Sequence, residues 1–442
     1  MNINDHVGYR VYETDEGLIA LAAISNPYST FLLTGGCVEV LQLLCQGYSF
    51  DDVQRKLLNQ FPENSQDVLN DIQQVSHLLN VDLSTCSKRL TSDEQEIYNS
   101  NSATGDFSQI LKFVRYYRFL TTVTFELNTT CNLRCEHCFH ADYNSAGMSA
   151  HQIKSLLTNL KDIGVLFLCF TGGEIFLRRD ILEILETANN LGFMIEIKTN
   201  GTLLNEKYIR RLSTLKRIIE VQVSVYGVEN NYSEFTNTNY NFSKVQYNLS
   251  LLEGYNIPFS IAYQVTPTNI GTLDSVYSKL SQITNSVFLS YYVTPNLKDP
   301  KKNVGSRLTY EQLKNELLPK LQEWNIEPTP SQYRSKDCGN VCWAGHEQIF
   351  ISAEGVVYPC ADLKIPLGTL EDQVLSNIVR MRFDRLAEFM PESIPTCQNC
   401  EYHNFCDSCI GVALLENQSL LLPSYHTCDL TRLQFEQNIV EL

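Results

Sequence analysis

An α/β fold centred on a parallel sheet, with a small hairpin-and-helix unit before it and a cysteine-rich unit after it, is what this sequence predicts. Three observations carry the prediction. Apolar runs alternate with helical stretches between residues 113 and 300, β-rich runs and three helical patterns fill residues 1 to 85, and eight cysteines crowd the last quarter.

Val7 to Glu13 and Leu18 to Ala23 are β-rich runs around Thr14-Asp15-Glu16-Gly17, a turn signal that predicts a hairpin. Three helices are expected next. The first covers Phe31 to Cys45, and the second starts near Ser49, whose hydroxyl with Asp52 three residues on resembles a capping box. The third carries Val68, Ile72, Val75 and Leu79 on one face. This is a winged-helix outline over residues 1 to 85. Residues 86 to 112, polar as far as Asp106, read as a linker. Six strands are expected in the core at residues 113 to 300: Leu120 to Leu127, Leu166 to Phe170, Met194 to Lys198, Ile219 to Val225, Phe259 to Val265 and Val287 to Val293. Helices such as Ser149 to Ile163 and Asp180 to Leu191 fill the gaps, which implies right-handed βαβ units. Residues 301 to 337 form a bridge with one amphipathic helix, and residues 338 to 442 form the cysteine-rich unit.

The bulk numbers exclude some functions. A net charge of -16 argues against nucleic acid, which needs a clustered basic surface; such acidity most commonly serves solubility, and it would also suit a basic peptide partner. There is no basic-then-apolar signal segment, and no apolar run approaches the roughly 20 residues that span a bilayer, so no membrane role is expected and the cytoplasm is the expected location. Fifteen cysteines without a signal peptide point to metal or redox chemistry rather than disulfides.

The sharpest motif is Cys131-Asn132-Leu133-Arg134-Cys135-Glu136-His137-Cys138, in the loop after the first core strand. Thiolates at spacings of four and three can reach one four-iron cluster and leave its fourth iron without a protein ligand. An open metal position is where chemistry starts. A zinc site or buried thiols are the alternatives. The pattern resembles the C-x-x-x-C-x-aromatic-C signature of radical S-adenosylmethionine (SAM) enzymes, with His137 as the aromatic residue. That resemblance implies a partial (β/α)6 barrel, SAM bound to the open iron, and cleavage of SAM to a 5'-deoxyadenosyl radical. It also assigns the strand ends. Gly172, Gly173 and Glu174 resemble the motif that receives the methionyl ammonium of SAM. Asn200 and Ser224 match positions that bind its ribose and carboxylate, and Thr266 lies in a segment resembling the one beside adenine.

Eight cysteines follow: Cys338, Cys342, Cys360, Cys397, Cys400, Cys406, Cys409 and Cys428. Eight thiolates are what two fully ligated four-iron clusters require, and paired C-x-x-C motifs also suit zinc ribbons. The run resembles the SPASM extension of radical SAM enzymes, which carries two auxiliary clusters. The resemblance places Cys338, Cys342, Cys360 and Cys409 on the nearer cluster and Cys397, Cys400, Cys406 and Cys428 on the farther. Two points stay open. The spacing from Cys406 to Cys409 is one residue shorter than usual, and Cys338 could be spare. With three 4Fe-4S clusters assigned, Cys37, Cys45, Cys86 and Cys169 remain, read as inert buried thiols except that Cys169 could face the barrel interior. His140 and Tyr226 are candidates for proton transfer or for packing.

The N-terminal outline resembles the PqqD-like domains that recognise leader segments of ribosomally made peptides by β-augmentation. Together these resemblances imply a peptide maturase that forms a thioether or carbon–carbon crosslink in a precursor peptide bound through its leader. A flavodoxin or ferredoxin would be its reducing partner. The rivals are a side-chain oxidase like the sulfatase-maturing enzymes, which lack the first 85 residues, and an iron-sulfur electron carrier. The precursor and the bond formed are not legible in the sequence.

Overall fold

The computed structural model describes residues 6–14, 17–25, 28–79, 103–104, 107–140, 142–228, 230–326, 342, 344–390, 394–402, 406 and 409–436. It begins with an antiparallel sheet of order β1-β2-β3-β4. Strands β1 (Val7–Thr14) and β2 (Gly17–Ser25) are the expected hairpin, with Val7 opposite Ile24 and Thr14 opposite Gly17. The helix expected over Phe31 to Cys45 is corrected: its first residues belong to β3 (Tyr28–Thr34), and only α1 (Gly36–Cys45) is helical. The run from Tyr28 to Thr34 is rich in aromatic and β-branched side chains, and Gly35, at φ 58, then breaks the strand in a conformation that glycine adopts without strain. Helices α2 (Phe50–Gln60) and α3 (Ser65–Leu78) agree with the sequence reading. Ser49 caps α2 by accepting from the Asp52 amide at 3.2 Å, and Val68, Ile72 and Val75 are buried.

The linker expected through residue 112 ends in structure. β4 (Ala103–Thr104) pairs with Leu33 and Leu32 of β3, and α4 (Phe107–Tyr116) follows. Residues 86–102 lie outside the described residues.

Six parallel strands then form the centre: β5 (Thr122–Glu126), β6 (Phe167–Thr171), β7 (Met194–Thr199), β8 (Ile218–Val225), β9 (Phe259–Gln264) and β10 (Val287–Ser290). Neighbours in sequence are neighbours in the sheet, as right-handed βαβ crossovers require. Between them run α5 (Ala150–Asp162), α6 (Ile181–Asn190), α7 (Glu206–Leu212), α8 (Asn230–Thr236), α9 (Phe242–Gly254) and α10 (Leu273–Ser281). Alternation divides the strands into two faces. Val123, Phe125, Leu168, Phe170, Ile195, Ile197, Val221, Val223, Ile261 and Tyr263 join the apolar core under the helices. The other face carries Thr124, Glu126, Glu196, Lys198, Gln222, Ser224 and Gln264, so the inside of the half-barrel is polar.

Two attachments were not foreseen. First, β11 (Gln348–Ile351) of the C-terminal unit pairs in parallel with β5, and β12 (Val356–Tyr358) and β13 (Gly368–Thr369) extend the sheet to nine strands. A buried Arg115–Glu347 ion pair at 3.0 Å locks this seam. Arg382, on α11 (Leu375–Phe389), adds donations to Gly345 O at 3.2 Å and Arg118 O at 2.5 Å.

Second, the N-terminal sheet docks on the starts of the parallel strands. Arg10 Nε donates to Val165 O at 2.7 Å, Tyr12 OH to Gly164 O at 2.6 Å, and Arg217 Nε to Val7 O at 3.1 Å. Tyr12, Leu21 and Leu32 share an apolar cluster with Leu166 and Met194. The sheet is therefore covered on both faces, by its own helices and by the barrel floor.

Two predictions follow from these seams. At Gly8 a Cβ would lie 2.8 Å from both Gly192 O and Met194 Sδ. Gly8→Val should therefore destabilise the protein by about 1–3 kcal/mol in denaturant titrations, as overpacking does. At the other seam, burial and then Arg382, Arg115 and Arg118 push His346 from 6.5 down to about 4. Its depressed folded-state value means that stability is complete above the unfolded value and is lost as pH falls from 6.5 toward 4. His346→Gln should remove about 2 kcal/mol of that acid-dependent loss, measured by urea unfolding at the two pH values, a figure discounted for partial exposure.

Candidate active site

The polypeptide from Leu127 to Met148, which leaves β5 at the C-terminal end of the sheet, has no helix or strand among its described residues. Its backbone groups must therefore be satisfied by other segments. Arg178, nearly buried, donates from Nη1 to Leu127 O at 2.8 Å and Ala146 O at 2.7 Å, and from Nη2 to Met148 O at 2.9 Å. Asn128 Nδ2 reaches Thr130 O at 3.2 Å and Glu174 O at 3.0 Å. From the far side, Asn296 Nδ2 donates to His140 O at 2.7 Å and Asn303 Nδ2 to His137 O at 2.9 Å. None of these four residues was picked out from the sequence. The one available signal was the polar run Asn128-Thr129-Thr130 at the end of an apolar strand.

Cys131, Cys135 and Cys138 lie half-buried on this loop as free thiols. Burial, then the neighbouring Cys138 and Cys131, raise the Cys135 thiol well above its ordinary value, and burial is the main cause at Cys131 too. Like charges so placed become stable thiolates only when a cationic centre joins them. Among the described residues no three His, Cys, Asp or Glu side chains stand close enough together to hold a metal ion as they are. The Leu133 amide donates to Cys131 Sγ at 3.4 Å, a contact of the kind that tunes cluster potentials. His137 packs 5.2 Å from the Tyr226 ring and 5.3 Å from that of Phe235, and burial lowers it to about 4.

The strand-end motifs gather around this loop. A Cβ on Gly172 would sit 2.5 Å from Asn128 O, and one on Gly173 2.2 Å from Thr130 O, so only glycine lets the two backbones approach this closely. Within the protein itself, the Glu174 side chain joins two strand ends. Its buried carboxylate accepts from Phe176 N at 3.0 Å, Thr199 Oγ1 at 2.9 Å and Asn200 N at 2.8 Å, tying the end of β6 to that of β7. Asn200 Nδ2 donates to Asn132 Oδ1 at 3.0 Å and lies 3.8 Å from Cys131 Sγ. Ser224 is half-buried and pairs with Tyr226. Thr266 is buried, its amide donating to Asn269 Oδ1 at 2.8 Å, while the adjacent Thr268 donates to Glu136 of the cysteine loop at 2.9 Å.

Three buried polar atoms here lack partners among the described residues: Asn128 Oδ1, His137 Nδ1 and Tyr232 OH. Tyr232 feels the charges of Cys135, Glu174 and Cys131, which places it at the same site. Three gathered thiols with unsatisfied buried donors and acceptors beside them fit a polar cosubstrate held on a thiolate-bound cluster. His140 lies 3.5 Å from Glu126 Oε1 and 3.4 Å from Gly172 O, and Glu126 in turn accepts from Ala353 N at 3.1 Å. Cys169 is buried beside Glu196 on the polar face, and burial raises its thiol further from reactivity.

The C-terminal thiols separate into two groups. Burial raises the Cys409 thiol well above its ordinary value, and Asp362, Cys360 and Cys342 add to the rise. Burial pushes Cys428 up to about 11, with contributions from Cys406, Cys397 and Cys400. Cys409 thus keeps company with Cys342 and Cys360 despite the short spacing before it. Cys338 and Cys86 lie outside the described residues. A glycine missed in the sequence makes this possible. At Gly411, in the first turn of α12 (Ile410–Asn417), a Cβ would lie 2.6 Å from Asp362 C, so the helix start can press against the Cys360 loop.

Residues 125–277 match the radical SAM superfamily, and residues 342–401 match the SPASM iron-sulfur cluster-binding domain. An AdoMet-dependent heme synthase of Nitratidesulfovibrio vulgaris is 22% identical over 318 residues, 65% of this chain and 86% of that protein. The antilisterial bacteriocin subtilosin biosynthesis protein AlbA of Bacillus subtilis is 28% identical over 310 residues, 67% of this chain and 68% of that one. The structure of Streptococcus suis SuiB bound to its precursor peptide SuiA superposes with a TM-score of 0.60 at 14% identity, covering 94% of this chain and 97% of that one. No helix among the described residues is long and apolar enough to cross a membrane. The chain is an α/β protein with the radical SAM fold and a C-terminal SPASM domain.

Proposed function

We propose that this protein modifies a ribosomally made precursor peptide by SAM-dependent radical chemistry, forming a thioether or carbon–carbon crosslink. The observation that carries the reading is architectural. The likeness to SuiB, recorded with a precursor peptide, runs through the N-terminal sheet, the half-barrel and the C-terminal unit alike, over 94% of this chain. AlbA, by its name a bacteriocin biosynthesis protein, supports the same substrate class. The heme synthases match over 65% of this chain, which makes tetrapyrrole chemistry the second reading.

In this reading Cys131, Cys135 and Cys138 hold the cluster that binds SAM. Bound there, SAM and the cluster supply a 5'-deoxyadenosyl radical able to take hydrogen from an unactivated carbon. The chain's own residues position the cosubstrate. The Glu174 carboxylate already accepts from three protein donors, so the carbonyls of the Gly172–Glu174 turn share with it the reception of a methionyl ammonium. Tyr232 OH and Asn128 Oδ1 supply unused hydrogen-bonding capacity, and Asn200, Ser224 and Thr266 line the remaining strand ends. Cys342, Cys360, Cys409 and Cys338 hold the nearer auxiliary cluster, and Cys397, Cys400, Cys406 and Cys428 the farther. The N-terminal unit acts as a PqqD-like leader-recognition domain, a flavodoxin or ferredoxin provides electrons, and the enzyme works in the cytoplasm.

Anaerobic reconstitution should give about twelve irons per chain and 5'-deoxyadenosine on reduction, whereas replacing Cys131, Cys135 and Cys138 together with Ala should leave about eight irons and no SAM cleavage. Zinc in place of iron, or no cleavage by the wild type, defeats the radical reading. Precursor peptide should bind the full chain at least about tenfold more tightly than the same peptide without its leader. Equal affinities, measured by calorimetry, defeat leader recognition. Gly173→Ala, whose Cβ would lie 2.2 Å from Thr130 O, should weaken SAM binding by about tenfold or more while leaving the auxiliary irons in place.

A further inference from the structure

The chain carries a formal charge of -16, a field that repels acidic proteins. The turn after β10 runs against that field. Within residues 296–303 it places Lys298, Lys301 and Lys302 at the surface against a single acid, Asp299. None of these lysines enters an ion pair among the described residues. The turn is rigid because two asparagines, each 1% exposed, organise it from within. Asn296 N donates to Asn303 Oδ1 at 2.8 Å, and the amides of Lys298 and Asp299 both donate to Asn296 Oδ1 at 3.1 Å.

The same asparagines join the turn to the cysteine loop. Asn296 Nδ2 donates to Cys138 O at 3.3 Å and His140 O at 2.7 Å, Asn303 Nδ2 to His137 O at 2.9 Å, and Leu297 N to Phe139 O at 2.9 Å. The lysines are thus carried by backbone hydrogen-bonded to the Cys138 peptide. A further exposed cation, Arg134, belongs to the cysteine loop itself, its guanidinium 4.2 Å from the centre of the Tyr143 ring. The barrel interior must remain free for cosubstrate and substrate, so an electron donor has to approach from the outer side of this loop.

We propose that the Lys298–Lys302 turn is the docking site for an acidic one-electron carrier of the flavodoxin class, an inference that rests on the radical SAM reading given above. In each encounter the carrier is oxidised by one electron and the centre held by Cys131, Cys135 and Cys138 is reduced by one, with no covalent bond made or broken. The local positive charge gives the carrier a landing point on a chain of net negative charge, and the asparagine-clamped turn fixes that point beside the Cys138 peptide.

The test uses the reconstituted holoenzyme and a flavodoxin. Lys298→Glu, Lys301→Glu and Lys302→Glu are combined, and a control of equal charge change combines Lys161→Glu, Lys207→Glu and Lys244→Glu on remote, exposed positions. Calorimetry reads flavodoxin binding, stopped-flow absorbance reads reduction by flavodoxin hydroquinone, and dithionite-driven formation of 5'-deoxyadenosine reads the site itself. The turn variant should bind and accept electrons about tenfold or more poorly at low ionic strength, with the difference shrinking at high salt. Its dithionite-driven activity should match the wild type, and replacing the same lysines with Gln should give an intermediate loss. Equal effects of turn and control variants, or no effect of either, overturn the docking site. Absence of dithionite-driven cleavage in the wild type overturns the radical reading instead, while the binding comparison still decides the docking.

Discussion

The arrangement at the mouth of the half-barrel depends on how a loop without secondary structure is held in place. Among the described residues between Leu127 and Met148 the backbone makes no helix and no strand, yet Leu127, Asn128, Thr129, Leu133 and His140 are buried. A buried carbonyl without a partner costs on the order of 1–3 kcal/mol, so such a loop persists only where side chains replace the missing ladder. Arg178 supplies three of those bonds with one guanidinium. Asn128, Asn296 and Asn303 supply others from three different directions. Cysteine spacing alone leaves the thiols free to diverge, and this polar frame gathers them.

That frame also explains how the sites are distributed over the molecule. The N-terminal sheet meets the starts of the parallel strands, whereas the cysteine loop leaves their ends. Strands of five to eight residues separate the two by about 17–26 Å. A peptide held at the edge of the N-terminal sheet must therefore span the height of the barrel before a residue of it reaches the thiol loop. On this sheet β4 of the same chain already pairs with Leu32 and Leu33 of β3. Leader and modified residue consequently have to be well separated in a substrate that uses both places at once.

How much of this was legible in the sequence follows from the range of the interactions. The six core strands and their order could be read because βαβ periodicity is local and the crossover rule leaves little choice. The grouping of motifs at successive strand ends came with that register. The helix expected over Phe31 to Cys45 failed because an apolar stretch suits strand and helix alike, and only Gly35 marked the break. Glu174 was assigned from its motif, but two of the donors that hold it, Thr199 and the Asn200 amide, come from the next strand and carry no signal in the motif itself. The docking of the N-terminal sheet is written in Gly8, Arg10 and Tyr12, three residues that look unremarkable until Val165 and Gly192 are set opposite them.

The C-terminal unit shows the limit of apolar packing as an organising force. Its local core beside the cysteines contains four fully buried apolar residues, Ala344, Leu363, Ile394 and Ile410, with Cys342, Cys360 and Cys397 packed against them. So small a core cannot by itself offset the chain entropy of ordering the surrounding loops. The thiol groups interleave in sequence: Cys409 lies with Cys342 and Cys360, although Cys397, Cys400 and Cys406 come between them and associate with Cys428. A cluster bound to each group would close loops that no strand or helix closes, so its binding energy would be folding energy for this unit. The half-barrel has a continuous apolar core, which also takes in Ile349, Ile351, Val357, Leu375 and Ile378 of the C-terminal unit, so the need is confined to the loops that carry the cysteines. On the proposed reading the two parts would use metal for different ends: in the C-terminal unit it would supply structure, and on the cysteine loop, whose shape is already held by Arg178 and the asparagines, it would be left free for chemistry.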